Sequence, residues 1–188
     1  MQKIKFCFTS EKAKELYNGK PPQFETPFAN GFDLRAVEVD NKYDIYGIIH
    51  NCEKDYDDDK MPEITGWKLF SGRKTLIKTG IRIELPLPNK VGEIMGIDIR
   101  SRSGLASKHG LRVFQGVGTI DNDYRGELGV IFENAGHEPY EIKIGDKIAQ
   151  GVFNPLKQVE FEEISQEEFE KTCCNTKRGS GGFGSTGK

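Results

Sequence analysis

Helical periodicity is nearly absent from this chain, and that absence narrows its fold more than any other feature. Only residues 11–17 and 166–172 space their apolar side chains for a helix, and each stretch is too short to build a packed layer. Apolar runs of strand length recur instead at 4–8, 43–49, 75–85, 91–99, 111–114, 127–132, 140–144, 148–153 and 158–161. Between them stand Pro86-Leu-Pro88-Asn89, Asn134-Ala-Gly136 and Gly145-Asp146, which supply the fixed φ, positive φ or side-chain-to-backbone bonds of chain reversals. Many short strands at this spacing predict a mainly β chain folded as a barrel or jelly roll.

At 188 residues the chain suffices for one domain with a real core and is short for two. Its net charge of -2 gives no global attraction to nucleic acid or to an anionic membrane, so any polyanion must be met locally. No window approaches the roughly 18 apolar residues of a membrane span, and Met1-Gln-Lys-Ile-Lys leads into no signal-peptide core. The expected location is cytoplasmic. Cys7, Cys52, Cys173 and Cys174 lack paired C-x-x-C spacing and are expected as reduced thiols. His50 and Cys52 form an H-x-C pair, but no second pair completes a metal site.

Residues 51–60 are dense in carboxylates and poor in apolar side chains, so burial cannot repay their ordering entropy. They are expected as an exposed loop within a surface insertion at about 40–66. Asp57, Asp58 and Asp59 lack the spaced ligands and turn glycine of a calcium loop, which favours a solvated acidic surface. The expected organisation is a β domain over 1–174 followed by a mobile arm over 175–188.

Three stretches carry chemistry. Gly118-Thr-Ile-Asp121-Asn-Asp123-Tyr124-Arg-Gly126 reads either as a surface turn or as a hairpin whose backbone edge pairs with a base. In the second case Asp121 accepts a proton from a hydroxyl or water, and Tyr124 packs against a sugar. Ser101-Arg102-Ser103-Gly104-Leu105-Ala106 offers a guanidinium, hydroxyls and a helix start; it is either a plain N-cap or an anion site. The last eleven residues, from Arg178 to Lys188, hold five glycines, hydroxyl donors at Ser185 and Thr186, and one large apolar ring, Phe183. Such a tail is either disordered or a lid that brings backbone N-H groups to an anion and a ring to a planar ligand.

Taken in order, Gly31-Phe-Asp33-Leu-Arg-Ala36, Arg102-Ser-Gly-Leu-Ala106, Gly118 to Gly126, Lys147-Ile-Ala-Gln150 and Arg178 to Gly187 resemble the five motifs of the trimeric deoxyuridine triphosphatases, the dUTPases. The resemblance spans residues 31 to 187. It implies a dUTPase-like distorted jelly-roll β-barrel with one short helix and a mobile C-terminal arm. It also implies a homotrimer with shared active sites and Mg2+-assisted hydrolysis of dUTP to dUMP and pyrophosphate.

By the same resemblance Asp121 would hold the 3'-hydroxyl and position the attacking water, as a buried carboxylate beside a polyphosphate. Tyr124 would lie against the deoxyribose. Arg102, Ser103, Gly104 and Gln150 would contact the phosphates, and Asp33 would sit near the metal through its water shell. Gln115, Gly118 and Ile120 would select uracil, largely by backbone groups. Phe183 would stack on the base, with Arg178, Gly184, Ser185 and Thr186 holding the terminal phosphate.

Departures from the family pattern are modest. Ser101 stands where proline is common, and Lys147 replaces the usual arginine, keeping the charge without the bidentate fork. A related deaminase acting on dCTP places a glutamate where this chain has Ile131, which disfavours deamination. The acidic insertion leaves all five motifs intact and is open to a second role, capture of a protein partner.

Overall fold

The computed structural model describes residues 3–40, 48–52, 64–87 and 93–172, together with Thr176 and Gly181. Its elements run β1 (Lys5–Phe8), α1 (Glu11–Leu16), β2 (Phe32–Arg35), β3 (Glu38–Val39), β4 (Ile48–Cys52), β5 (Ile64–Leu69), β6 (Lys74–Lys78) and β7 (Ile81–Glu84). They continue as β8 (Glu93–Ser101), α2 (Ser103–His109), β9 (Leu111–Val113), β10 (Val117–Ile120), β11 (Gly129–Asn134), β12 (Tyr140–Lys143), β13 (Lys147–Lys157) and α3 (Gln166–Thr172). The chain divides into two compact units, 1–157 and 158–188.

In the first unit every strand pairing is antiparallel. Two four-stranded sheets, ordered β10-β8-β13-β2 and β3-β6-β11-β9, are joined by a three-stranded sheet β12-β5-β4 and a β1-β7 pair. The first supplies Phe32, Leu34, Ile97, Ile99 and Ile148 to one core, the second Ile77, Leu111, Val113, Val130 and Phe132, and the third Trp67, Leu69 and Ile142. This is the mainly β, jelly-roll-like arrangement that the run of short strands predicts. It carries three short helices among the described residues: α1 and α3 on the two stretches spaced for a helix, and α2 at the helix start expected after Arg102.

The expected strand at 75–85 is two strands in different sheets. At the break Gly80 has φ 74°, and a Cβ there would lie 2.5 Å from the Cβ of Ala13 on α1. Only glycine meets both demands, so the chain bends, β6 stays with β11, and β7 turns to pair with β1. The expected strand at 158–161 is absent: residues 158–165 carry no regular structure, and Phe161 is fully exposed. Alternation of Val159 and Phe161 with glutamates fits a strand, but no strand within the described part of the second unit pairs with it.

The surface insertion expected at about 40–66 is partly sheet. Asn51 and Cys52, assigned to the acidic loop, lie in β4, which pairs with β5, and β5 pairs in turn with β12. The pairing carries Trp67 and Leu69 into the core just beyond the insertion. Asp57 to Asp59, like all of 53–63, and Cys173 and Cys174 lie outside the described residues. No helix among the described residues is long and apolar enough to cross a membrane.

Buried polar groups tie these layers together. Asn134, fully buried, donates Nδ2 to the carbonyls of Leu69 and Glu138 and accepts from Gly136 N, so it fastens β11 to the third sheet. Tyr17, 7% exposed, donates its hydroxyl to Thr79 O at 3.0 Å and accepts from Arg35 N at 2.9 Å. Burial opposes its ionisation and pushes its pKa up to about 12, against a partial lowering by the Arg35 N-H.

An unfolded chain releases the Tyr17 proton near pH 10. Between pH 10 and 12 the unfolded state therefore holds fewer protons, and stability falls as pH rises. The contribution is fully present below pH 10 and fades across that window by about 2–3 kcal/mol. Urea unfolding followed by the lone tryptophan, Trp67, is expected to show this alkaline loss, and Tyr17→Phe is expected to flatten it while lowering stability at pH 8.

Candidate active site

A cleft forms where β8 gives way to α2 and β13 runs alongside. The ladder from Ala149↔Ser101 to Lys157↔Glu93 sets β13 against β8, and Gln150 lies opposite Asp33 of β2 on the other side. Arg102 is the extended N-cap of α2, with Ala106 N donating back to its carbonyl. The N-H groups of the next residues therefore have no acceptor within the helix. Arg102, Ser103, Gly104 and Gln150 line one cavity of about 320 Å3. Lys108 and His109 line it too; they adjoin the recognised motif, and only the helical turn brings them round.

Behind this cavity is a buried charge cluster. Asp33 is 5% exposed, and neither of its oxygens takes a hydrogen bond of good geometry. Charge compensates them instead: Lys147 Nζ is 2.9 Å from Oδ2 and Arg102 Nε is 3.4 Å from Oδ1. Arg102 also donates Nη1 to the Lys147 carbonyl at 2.9 Å. Glu25, which sequence reasoning missed, accepts a hydrogen bond from Lys147 Nζ. That bond and, second, the contact with Asp33 hold the Lys147 ammonium above its ordinary pKa, while Lys147 holds Glu25 below the usual carboxylate range. No local signal marks Glu25, which stands 122 positions from its partner.

A second cavity, about 610 Å3, opens between β10 and the β6-β11-β9 sheet. Gln115, Gly118, Ile120 and Tyr124 all line it, with Ile131 on its wall. β10 is the edge of its sheet, and among the described residues no strand pairs with its outer side, so alternate backbone groups face outward. Gln115 holds a left-handed conformation, φ 62°, in the turn closed by Gly116 N to Val113 O. Such a conformation in a non-glycine residue is uncommon. Lys78, Asp40 and Glu127 add charge to this cavity, a feature no sequence motif announced.

Asp121 follows β10 and is exposed in the single chain. Its turn is nevertheless fixed. Asn122 donates Nδ2 to Pro86 O and Met95 O at 2.8 and 3.0 Å, and Tyr124 N donates to Asp121 O at 3.2 Å. The Tyr124 hydroxyl donates to Glu127 O at 2.9 Å, laying the ring across Gly126. Arg178, Phe183, Gly184, Ser185 and Thr186 lie outside the described residues.

A family model described as dUTPase matches residues 65–187. Deoxyuridine 5'-triphosphate nucleotidohydrolases of Anaplasma marginale and Heliobacterium modesticaldum are 38% and 36% identical over 166 residues, covering 88% of this chain and 88% of each relative. The chain belongs to the dUTPase family. Among solved structures, a dUTPase variant from phage phi11 of S. aureus, described with a structural Mg(II) ion, matches at a TM-score of 0.61 and 22% identity, over 89% of this chain and all of that one. A Staphylococcus bacteriophage 80alpha dUTPase variant with dUpNHpp matches at 0.65 and 20%, over the whole of both chains. These likenesses show a shared dUTPase fold.

Gly126 fixes where the Tyr124 ring can lie. A Cβ there would lie 2.2 Å from the Tyr124 hydroxyl, so Gly126→Ala must swing the ring away. Because the ring is half exposed, water can replace the bond to Glu127 O that its hydroxyl gives up on moving, so the expected cost to stability is about 1 kcal/mol, at the low end for overpacking. Displaced Tyr124 ring resonances beside a near-normal unfolding midpoint are the expected result; a loss above about 3 kcal/mol would mean the ring cannot move.

Proposed function

We propose that this chain hydrolyses dUTP to dUMP and pyrophosphate. Its membership of the dUTPase family supports the activity, and one observation carries the residue assignments. Side chains matched to the family's phosphate motifs line one cavity, those matched to its base and sugar motif line another, and Asp121 follows directly on the strand that walls the second.

In this reading the uracil lies along the open edge of β10, recognised by backbone groups around Gly118 and Ile120, and the deoxyribose rests on Tyr124. Arg102, Ser103 and Gln150 hold the phosphates, the guanidinium by charge-assisted hydrogen bonds. Asp121 orients a water for in-line attack on the α-phosphorus and takes its proton. The new bond joins the water oxygen to that phosphorus, and the bond to the β-phosphate oxygen breaks, releasing pyrophosphate. The arm from Arg178, with Phe183, Gly184, Ser185 and Thr186, closes over base and terminal phosphate. Exposure of Asp121 and Tyr124 in the single chain supports a site completed by other copies in a homotrimer.

Lys147 and Arg102 face the buried Asp33 oxygens, which disfavours direct metal ligation and leaves Asp33 a contact through the water shell of a bound Mg2+. Among the described residues no three His, Cys, Asp or Glu side chains converge as a cage. Mg2+ is accordingly assigned to the substrate's own phosphate oxygens, where it supplies charge neutralisation. The acidic insertion at about 40–66 is left open to a protein partner, and deleting its residues 53–60, which spares β4, is expected to keep turnover within about two-fold while abolishing that capture.

Asp121→Asn is expected to lower kcat by about 10²–10⁴-fold with dUpNHpp affinity kept within a few-fold. Near-normal turnover would sink the mechanism. Pyrophosphate release across dUTP, dCTP, dTTP and UTP is expected to favour dUTP. Preference for another nucleotide, or ammonia from dCTP, would refute the substrate assignment.

A further inference from the structure

The charge cluster behind the Arg102 cavity includes a carboxylate that belongs to no motif. Glu25 lies on the segment ahead of β2 and shares the Lys147 ammonium with Asp33, which in turn faces Arg102. Charge alternates along the row, and exposure falls inward: the Glu25 side chain is 57% exposed, that of Asp33 7%. The Glu25 segment is itself anchored, since Asp33 N donates to Gln23 O at 3.2 Å and Phe24 meets Phe32 edge-on at 6.1 Å.

A lysine is a point charge on a flexible stem, so its acceptors alone decide where it points. With two carboxylates to serve, the Lys147 ammonium is held between them. With Glu25 neutral it can close wholly on Asp33, and the Asp33 carboxylate then has less charge to offer Arg102. An arginine at 147 can engage Asp33 through two parallel N-H groups and needs no second acceptor.

Resting on the reading above, we propose that Glu25 is a positioning residue. By sharing Lys147 with Asp33 it fixes the Asp33 carboxylate, and through it the Arg102 guanidinium, in the orientation that meets the substrate's phosphates. An exposed ion pair with no such role leaves kinetics and Arg102 unchanged when it is broken.

The test uses the full chain with Glu25→Gln, Lys147→Arg and the double variant. Glu25→Gln is expected to raise KM for dUTP roughly five-fold with kcat within about two-fold, a loss of binding common to ground and transition states. In the Lys147→Arg background the same change is expected to be nearly silent. The Arg102 Nε-H resonance, read by 15N NMR without substrate, is expected to move in Glu25→Gln and to stay put when the change is made on Lys147→Arg. If the unaltered chain fails to turn over dUTP, the proposed activity falls while the NMR arm still decides the positioning role. No change in either KM or the Arg102 resonance, or a change in only one of them in an active enzyme, overturns the inference.

Discussion

The site depends on β13 being paired along both sides. Its ladder with β8 brings the start of α2 beside Gln150, and its shorter pairing with β2 sets Asp33 opposite the same residue. A carboxylate at that depth cannot stay unpaired, because isolated buried charge is costly by several kcal/mol. The strand that buries Asp33 also delivers Lys147, and the strand on its other flank leads into Arg102. Backbone pairing and charge pairing thus enforce one register, since a one-residue slip would turn these side chains to the opposite face.

The sheet containing β13 ends at β10, and an open edge is ordinarily a hazard because it invites another strand. Here the edge is short, carries a glycine, and borders a cavity instead of a flat apolar face. These features suit recognition of a small planar ligand better than addition of a strand. The fixed turn that follows, pinned by Asn122 to two carbonyls, keeps Asp121 and Tyr124 at a set place relative to that edge.

Much of this was legible in the sequence, for identifiable reasons. Short apolar runs gave most strands, since alternation reports burial on one face directly. Arg102, Ser103 and Gly104 were legible together, as were Gly118, Ile120 and Tyr124, since each group is a local turn or strand end; Gln115 and Gln150, the latter on the distant β13, came only through the family resemblance. What stayed hidden was non-local or contrary to pattern. β2 was missed because Phe32-Asp-Leu-Arg35 buries a charge in mid-strand, and its stability comes from cations more than sixty positions away. β5 was missed because Gly66 interrupts it; the reason, a backbone carbonyl of Ile142 only 2.5 Å from where a Cβ would sit, exists only in the folded sheet. Glu25 was invisible because its meaning lies entirely in its distant lysine.

The β2-β13 pairing also dictates how this chain comes to be folded. Arg35 donates to the carbonyl of Gly145, 110 positions later, and β1 must wait for β7 seventy-nine positions downstream. Contacts of that separation are slow to form, because a long loop must close before any pairing rewards it. During synthesis the first strands leave the ribosome with no partner to meet, and the cavity lined by Arg102 and Gln150 cannot exist until β13 has emerged. A truncated product ending before residue 147 therefore lacks more than a few contacts: it lacks the strand on which both its neighbours close.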